Sequence, residues 1–125
     1  MKHRAVYFVI IAVALGLVAC SGGGSKAQIP YVMSPADMSN KDAAAKNNEG
    51  VDHLVQGHYE VSEKYFRDAI AAKNNFAEAQ FNLGVALDGM GKHEEATEAF
   101  KQAQEHGANN PKIAGSELLK KHLGM

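Results

Sequence analysis

The stretch AEAQFNLGVALDGMGKHEEATEAFKQAQEHGANN, residues 77–110, decides the fold, because it is a second copy of what precedes it. Sliding the chain by 34 residues sets Asn48 on Asn82, Gly50 on Gly84, Val51 on Val85, Gly57 on Gly91, Glu60 on Glu94, Phe66 on Phe100 and Ala69 on Ala103. Ala43 and Ala77, Ala45 and Ala79, and Asn75 and Asn109 match as well. A fixed period of this length marks one supersecondary unit repeated along a stack. In the later copy Leu83, Leu87, Phe100 and Ala103 fall at helical spacing, Gly84 and Ala96 are small where two helices would cross, and Gly91 permits a tight turn. One copy is therefore one helical hairpin.

Period and residue types together resemble the tetratricopeptide repeat, from about Lys41 to Pro111. The resemblance implies an all-α fold, with two antiparallel helix hairpins at residues 43–76 and 77–110 stacked as a right-handed solenoid. The first copy departs from the family: Glu49 stands where Leu is preferred, Lys46 and Gln80 hold the aromatic positions of their helices, and Ser62 replaces the usual Ala. A terminal repeat has an outer face in water, and such changes suit it. Pro111 opens an expected capping helix, residues 111–123, whose Ile113, Leu118, Leu119 and Leu123 would cover the second hairpin and complete a domain 41–125.

Working outward to the N-terminus, Met1-Lys2-His3-Arg4 is a basic start to a run that stays apolar from Ala5 to Leu17, the grammar of a secretory signal peptide. The run is shorter than the roughly 20 residues that span a bilayer. It closes on Leu17-Val18-Ala19-Cys20, which resembles the lipobox of bacterial lipoproteins. That resemblance implies a signal peptide 1–19 removed on maturation, with Cys20 carrying the lipid; a thiolate can be alkylated where a serine would be too poor a nucleophile. Two or three acyl chains anchor stably where one is marginal. Ser21, not Asp, follows the cysteine, which by resemblance to lipoproteins of enteric bacteria favours the outer membrane, facing the periplasm.

Residues 20–40 are expected to be a lipid-anchored flexible linker, starting with the Gly/Ser spacer Ser21 to Ser25 and made extended or turn-like by Pro30 and Pro35. Ile29, Tyr31, Val32 and Met33 form an apolar cluster that a spacer does not need. It either docks back on the helices or meets a partner.

Composition excludes several functions. The chain has 13 Lys and Arg against 14 Asp and Glu, a net charge of −1, with both signs interspersed along the helical stretches, so no basic face is available to nucleic acid. Its single cysteine is used by the anchor, and no nucleophile with a base and an orienting acid can be assembled, so no catalytic residue and no enzyme activity are expected. Among the six histidines no pair has the i, i+3 or i, i+4 spacing that puts two ligands on one helical face, so no metal and no cofactor beyond the covalent lipid are expected. His53 reads as a hydrogen-bonded packing residue in the first hairpin.

In the tetratricopeptide family the concave face is lined by first-helix residues. Carried over, the partner-binding groove comprises Asn47, Val51, Leu54 and Val55 from the first copy and Glu78, Phe81, Val85 and Asp88 from the second. An apolar stripe rimmed by Asn and acids suits an extended segment or helix of another envelope protein. The competing reading packs Phe81 and the valines against the linker cluster or the capping helix. A core this small also leaves room for a partner or a homo-oligomer to add burial. The expected function is a membrane-anchored adaptor or assembly factor for an envelope complex of secretion, pilus or outer-membrane assembly type. The alternative is a non-catalytic accessory subunit of an envelope enzyme or electron-transfer complex.

Overall fold

The computed structural model describes residues 28–125; the expected signal peptide 1–19, Cys20 and the Gly/Ser spacer lie outside the described residues. Six helices follow in order: α1 (Lys41–Val55), α2 (Tyr59–Ala72), α3 (Ala77–Gly89), α4 (His93–Gly107), α5 (Pro111–Ala114) and α6 (Glu117–Leu123). The most extensive packing is α1 on α2 and α3 on α4, followed by α2 on α3, so two hairpins stack through their neighbouring helices. Among the described residues the fold is all-helical, as the repeat required.

Both hairpins turn by the same device. At the first, Gly57 N–H donates to Leu54 O (2.9 Å) and His58 N–H to His53 O (3.0 Å); at the second, Gly91 N–H donates to Asp88 O (2.9 Å) and Lys92 N–H to Leu87 O (2.9 Å). This paired closure of the last helical carbonyls requires a left-handed residue, and Gly57 and Gly91 have φ of 79° and 76°. Asn40 starts α1: its side-chain oxygen accepts from Ala43 N–H (3.0 Å), while its amide donates to Ala72 O (2.9 Å) at the far end of α2.

Repeat symmetry extends to the core. A Cβ built on Gly50 would lie 2.6 Å from the Phe66 ring, and one on Gly84 would lie 2.7 Å from the Phe100 ring. Each hairpin thus closes by pressing a phenylalanine ring against bare helix backbone, and both rings are fully buried. Helix α3 is central. Its buried residues, from Ala77 through Leu87, lie on every side, whereas α4 buries only Ala96, Ala99, Phe100, Ala103 and Gly107 along one stripe. Ser62, the departure from the usual Ala, is buried and satisfied by donating from Oγ to Tyr59 O (2.9 Å).

Three expectations are corrected. The single capping helix 111–123 is two helices, broken at Gly115 because Ser116 starts a new one by accepting from Leu119 N–H (3.3 Å). Ile113 and Leu119 are nonetheless buried, and both helices pack on α4. His53 is not hydrogen-bonded through Nδ1, which is buried without a partner; its ring stacks on Tyr65 at 5.4 Å and 11°. The stretch from Ile29 to Asn40, within the expected flexible linker, is bound to the helices, which is the docking reading of its apolar cluster.

Candidate functional site

The groove is built by two asparagines that the 34-residue shift already pairs. Asn82 Oδ1 accepts from Val32 N–H (2.8 Å) and Asn48 Oδ1 accepts from Ser34 N–H (2.9 Å). Amides two residues apart point the same way only in an extended chain, so equivalent positions on successive hairpins read successive steps of one extended strap. The strap runs from the second repeat towards the first.

Asn47 and Asn82 complete the grip. The Asn82 side-chain amide donates to Val32 O (2.8 Å) and to Asn47 Oδ1 (2.9 Å), and Asn47 donates to Val32 O (3.2 Å) and Ser34 Oγ (3.1 Å). Ser34 Oγ donates in turn to Ala44 O (3.1 Å). Both asparagines are fully buried, and each polar atom of these two side chains has a partner. Between the two backbone grips Val32 enters the core with Val51, Leu54, Phe81 and Val85, while its neighbours Tyr31 and Met33 remain 38% and 42% exposed. Farther on, Met38 joins a second cluster with Ala43, Ala69, Phe76 and Ala79.

The expected groove residues divide accordingly. Asn47, Val51, Leu54, Phe81 and Val85 lie together under the strap and are buried. Val55 is 50% exposed at the end of α1. Glu78 accepts from the Asn110 side chain (3.1 Å), tying the start of α3 to the cap of α5. Asp88 Oδ1 is engaged by His93 Nδ1 and by His122 Nε2, each at 2.9 Å. Asn48 and Asn82 were absent from the expected groove although the repeat alignment had already picked them out.

Docking the strap is close to balanced. Six hydrogen bonds hold Val32 and Ser34. At about 1 kcal/mol net each they contribute about 6 kcal/mol. Burying Val32 adds about 2 kcal/mol. Fixing the backbone from Ile29 to Ser34 costs about 1 to 1.5 kcal/mol per residue, or about 6 to 9 kcal/mol. An extended strap held by near-cancelling terms is exchangeable in a way that the helical core is not.

Surface electrostatics lie elsewhere. Arg67 bridges Glu63 (2.8 Å) and Glu95 (3.5 Å), and Lys92 reaches Glu63 (3.4 Å), linking α2 to the start of α4. Partial burial works against ionising Glu63, but the Arg67 hydrogen bond and the charges of Arg67 and Lys92 outweigh it and hold its carboxyl below the ordinary value of 4.5. Lys46 is raised, first by its hydrogen bond to Asp42 (2.6 Å) one turn earlier on α1.

Among the described residues no helix is long and apolar enough to cross a membrane. Residues 77–110 match the tetratricopeptide repeat family model, the same 34 residues that the internal period isolates. No curated protein matches the chain. The repeat points to a role in protein–protein interaction, and proteins built from it are typically non-catalytic scaffolds.

Proposed function

We propose that the protein is a lipid-anchored adaptor of the bacterial envelope whose groove receives an extended segment of a partner envelope protein in place of its own strap. The groove's occupancy by Ile29 to Ser34 carries this reading, because the asparagine grips fall on backbone atoms that any extended segment supplies. The Leu17 to Cys20 motif supports anchorage through Cys20, Ser21 after it supports outer-membrane delivery, and the resemblance to the tetratricopeptide family supports service to a secretion, pilus or outer-membrane assembly machine. The near-balanced strap then acts as a tethered competitor that keeps the apolar groove covered until a partner arrives.

The test is photo-crosslinking in native envelopes from a probe placed at Val55, the exposed residue of the expected groove, in the wild type and in Val32→Asp, which should expel the strap. A partner that crosslinks more strongly in Val32→Asp supports the reading. A partner set indifferent to strap release removes it. Cys20→Ala, in the same envelopes, should lose fatty-acid label and membrane association; label retained on that variant would refute the anchor.

A further inference from the structure

Three side chains outside the strap converge where the second hairpin turns. Asp88 closes α3, His93 opens α4 and His122 lies in the last turn of α6. One ligand atom from each lies within 4.8 Å of the other two. Helical spacing conceals this set, because Asp88 and His93 face one another across the Gly91 turn and His122 arrives from 29 residues further on.

The hydrogen bonds around His122 are what make the cluster informative. Thr97 Oγ1 donates its only proton to His93 O (2.8 Å), the carbonyl one turn before it. Its oxygen lies 2.9 Å from His122 Nδ1 and must therefore accept, so Nδ1 carries a hydrogen. Nε2 of a neutral ring is then a bare lone pair, yet it lies 2.9 Å from the carboxylate oxygen of Asp88. Two electron pairs at that distance need a positive species between them, a proton or a metal ion. The same arrangement, a histidine oriented through its far nitrogen by an outer hydrogen bond, recurs at metal centres.

We propose that Asp88, His93 and His122 bind a first-row divalent transition-metal ion, with zinc as the best-suited member. Two imidazoles and one carboxylate are a borderline donor set that suits zinc. Tetrahedral ligands about 2.1 Å from a metal stand roughly 3.4 Å apart, so the Asp88 oxygen, 2.9 Å from each histidine nitrogen, has to move away slightly, and the two nitrogens start within 4.8 Å of one another. His93 supplies that freedom, since its side chain is 68% exposed, whereas His122 is 9% exposed and packs on Phe100 at 5.0 Å. The ion would fasten α6 to both helices of the second hairpin and keep one coordination position towards solvent on the His93 side.

The experiment is calorimetric titration of metal-stripped full-length protein with zinc chloride, paralleled by cobalt(II) absorption as a direct report of ligand type. Wild-type protein should bind one ion per chain with a tetrahedral cobalt spectrum and melt at higher temperature when loaded. His93→Gln, which removes an exposed ring and disturbs no core contact, should weaken binding at least tenfold. Thr97→Val should weaken it by about 10- to 100-fold through His122 alone. His106→Gln, at the other end of α4, should leave it unchanged. Absence of stoichiometric binding, or binding that His93→Gln and Thr97→Val leave intact, overturns the proposal.

Discussion

Replacing Asn82 by Ala should release the strap and leave the hairpins standing. The side chain makes three bonds: it accepts from Val32 N–H and donates to Val32 O and Asn47 Oδ1. Were the strap to stay in place, Val32 N–H and Asn47 Oδ1 would both be buried without partners, while Val32 O would keep its bond from Asn47. Each orphan costs about 1 to 3 kcal/mol, so a docked strap would carry about 2 to 6 kcal/mol of penalty. Undocking lets both groups hydrate, and its cost is limited to whatever the strap contributed net. The strap's own terms nearly cancel, so undocking wins, and the loss of global stability stays at or below about 2 kcal/mol, the upper end of that balance. Urea unfolding followed by helical circular dichroism reads the stability, and hydrogen exchange reads the amides of Val32 and Ser34. Both amides should exchange at least tenfold faster in Asn82→Ala, while the α3 amides keep most of their protection. Unchanged protection at Val32 together with a stability loss below about 0.5 kcal/mol would show that the asparagines do not hold the strap.

Two further outcomes follow from the packing and the charges. Gly84→Ala gains about 1 kcal/mol of helix propensity. It also drives a methyl to within 2.7 to 2.9 Å of three atoms of the buried Phe100 ring. Such overpacking costs about 1 to 3 kcal/mol, so a net destabilisation of about 1 kcal/mol is expected in thermal unfolding, and a stabilised variant would contradict the close crossing. For Glu63, whose folded value lies below its ordinary 4.5, the associated stability is present above that value and declines as pH falls through and beneath it. Stability of Glu63→Gln measured from pH 6 down to about pH 3 should therefore fall less steeply than that of the wild type, and parallel curves would dismiss the contribution.

Much of this architecture is legible in the residues because repetition doubles every signal. The glycine turns, the Gly–Phe crossings and the helical seams each occur twice at the same offset, and the structure realises both copies. The apolar run Ile29 to Met33 marked the strap, but its grip was harder to read. Asn82 belongs to the familiar Asn-Leu-Gly run of a first helix, and nothing local says that its amide faces another segment of the chain. The break at Gly115 and Ser116 went unread because the apolar pattern from Ile113 to Leu123 can be drawn through it. The Asp88, His93 and His122 cluster could not be found by searching within helices, since each member comes from a different one.

The asparagine pair also fixes how much information the groove can extract from what lies in it. Asn48 and Asn82 interrogate backbone amides, which are alike in nearly every residue, and between them only Val32 presents a side chain to the interior. A reader built this way distinguishes extended from folded chains sharply and one sequence from another hardly at all. Proline at either gripped position would be rejected for want of an N–H, and a large ring at the Val32 position would be rejected for want of space. Lengthening the message would require adding hairpins, each contributing one more asparagine and two more residues of reach.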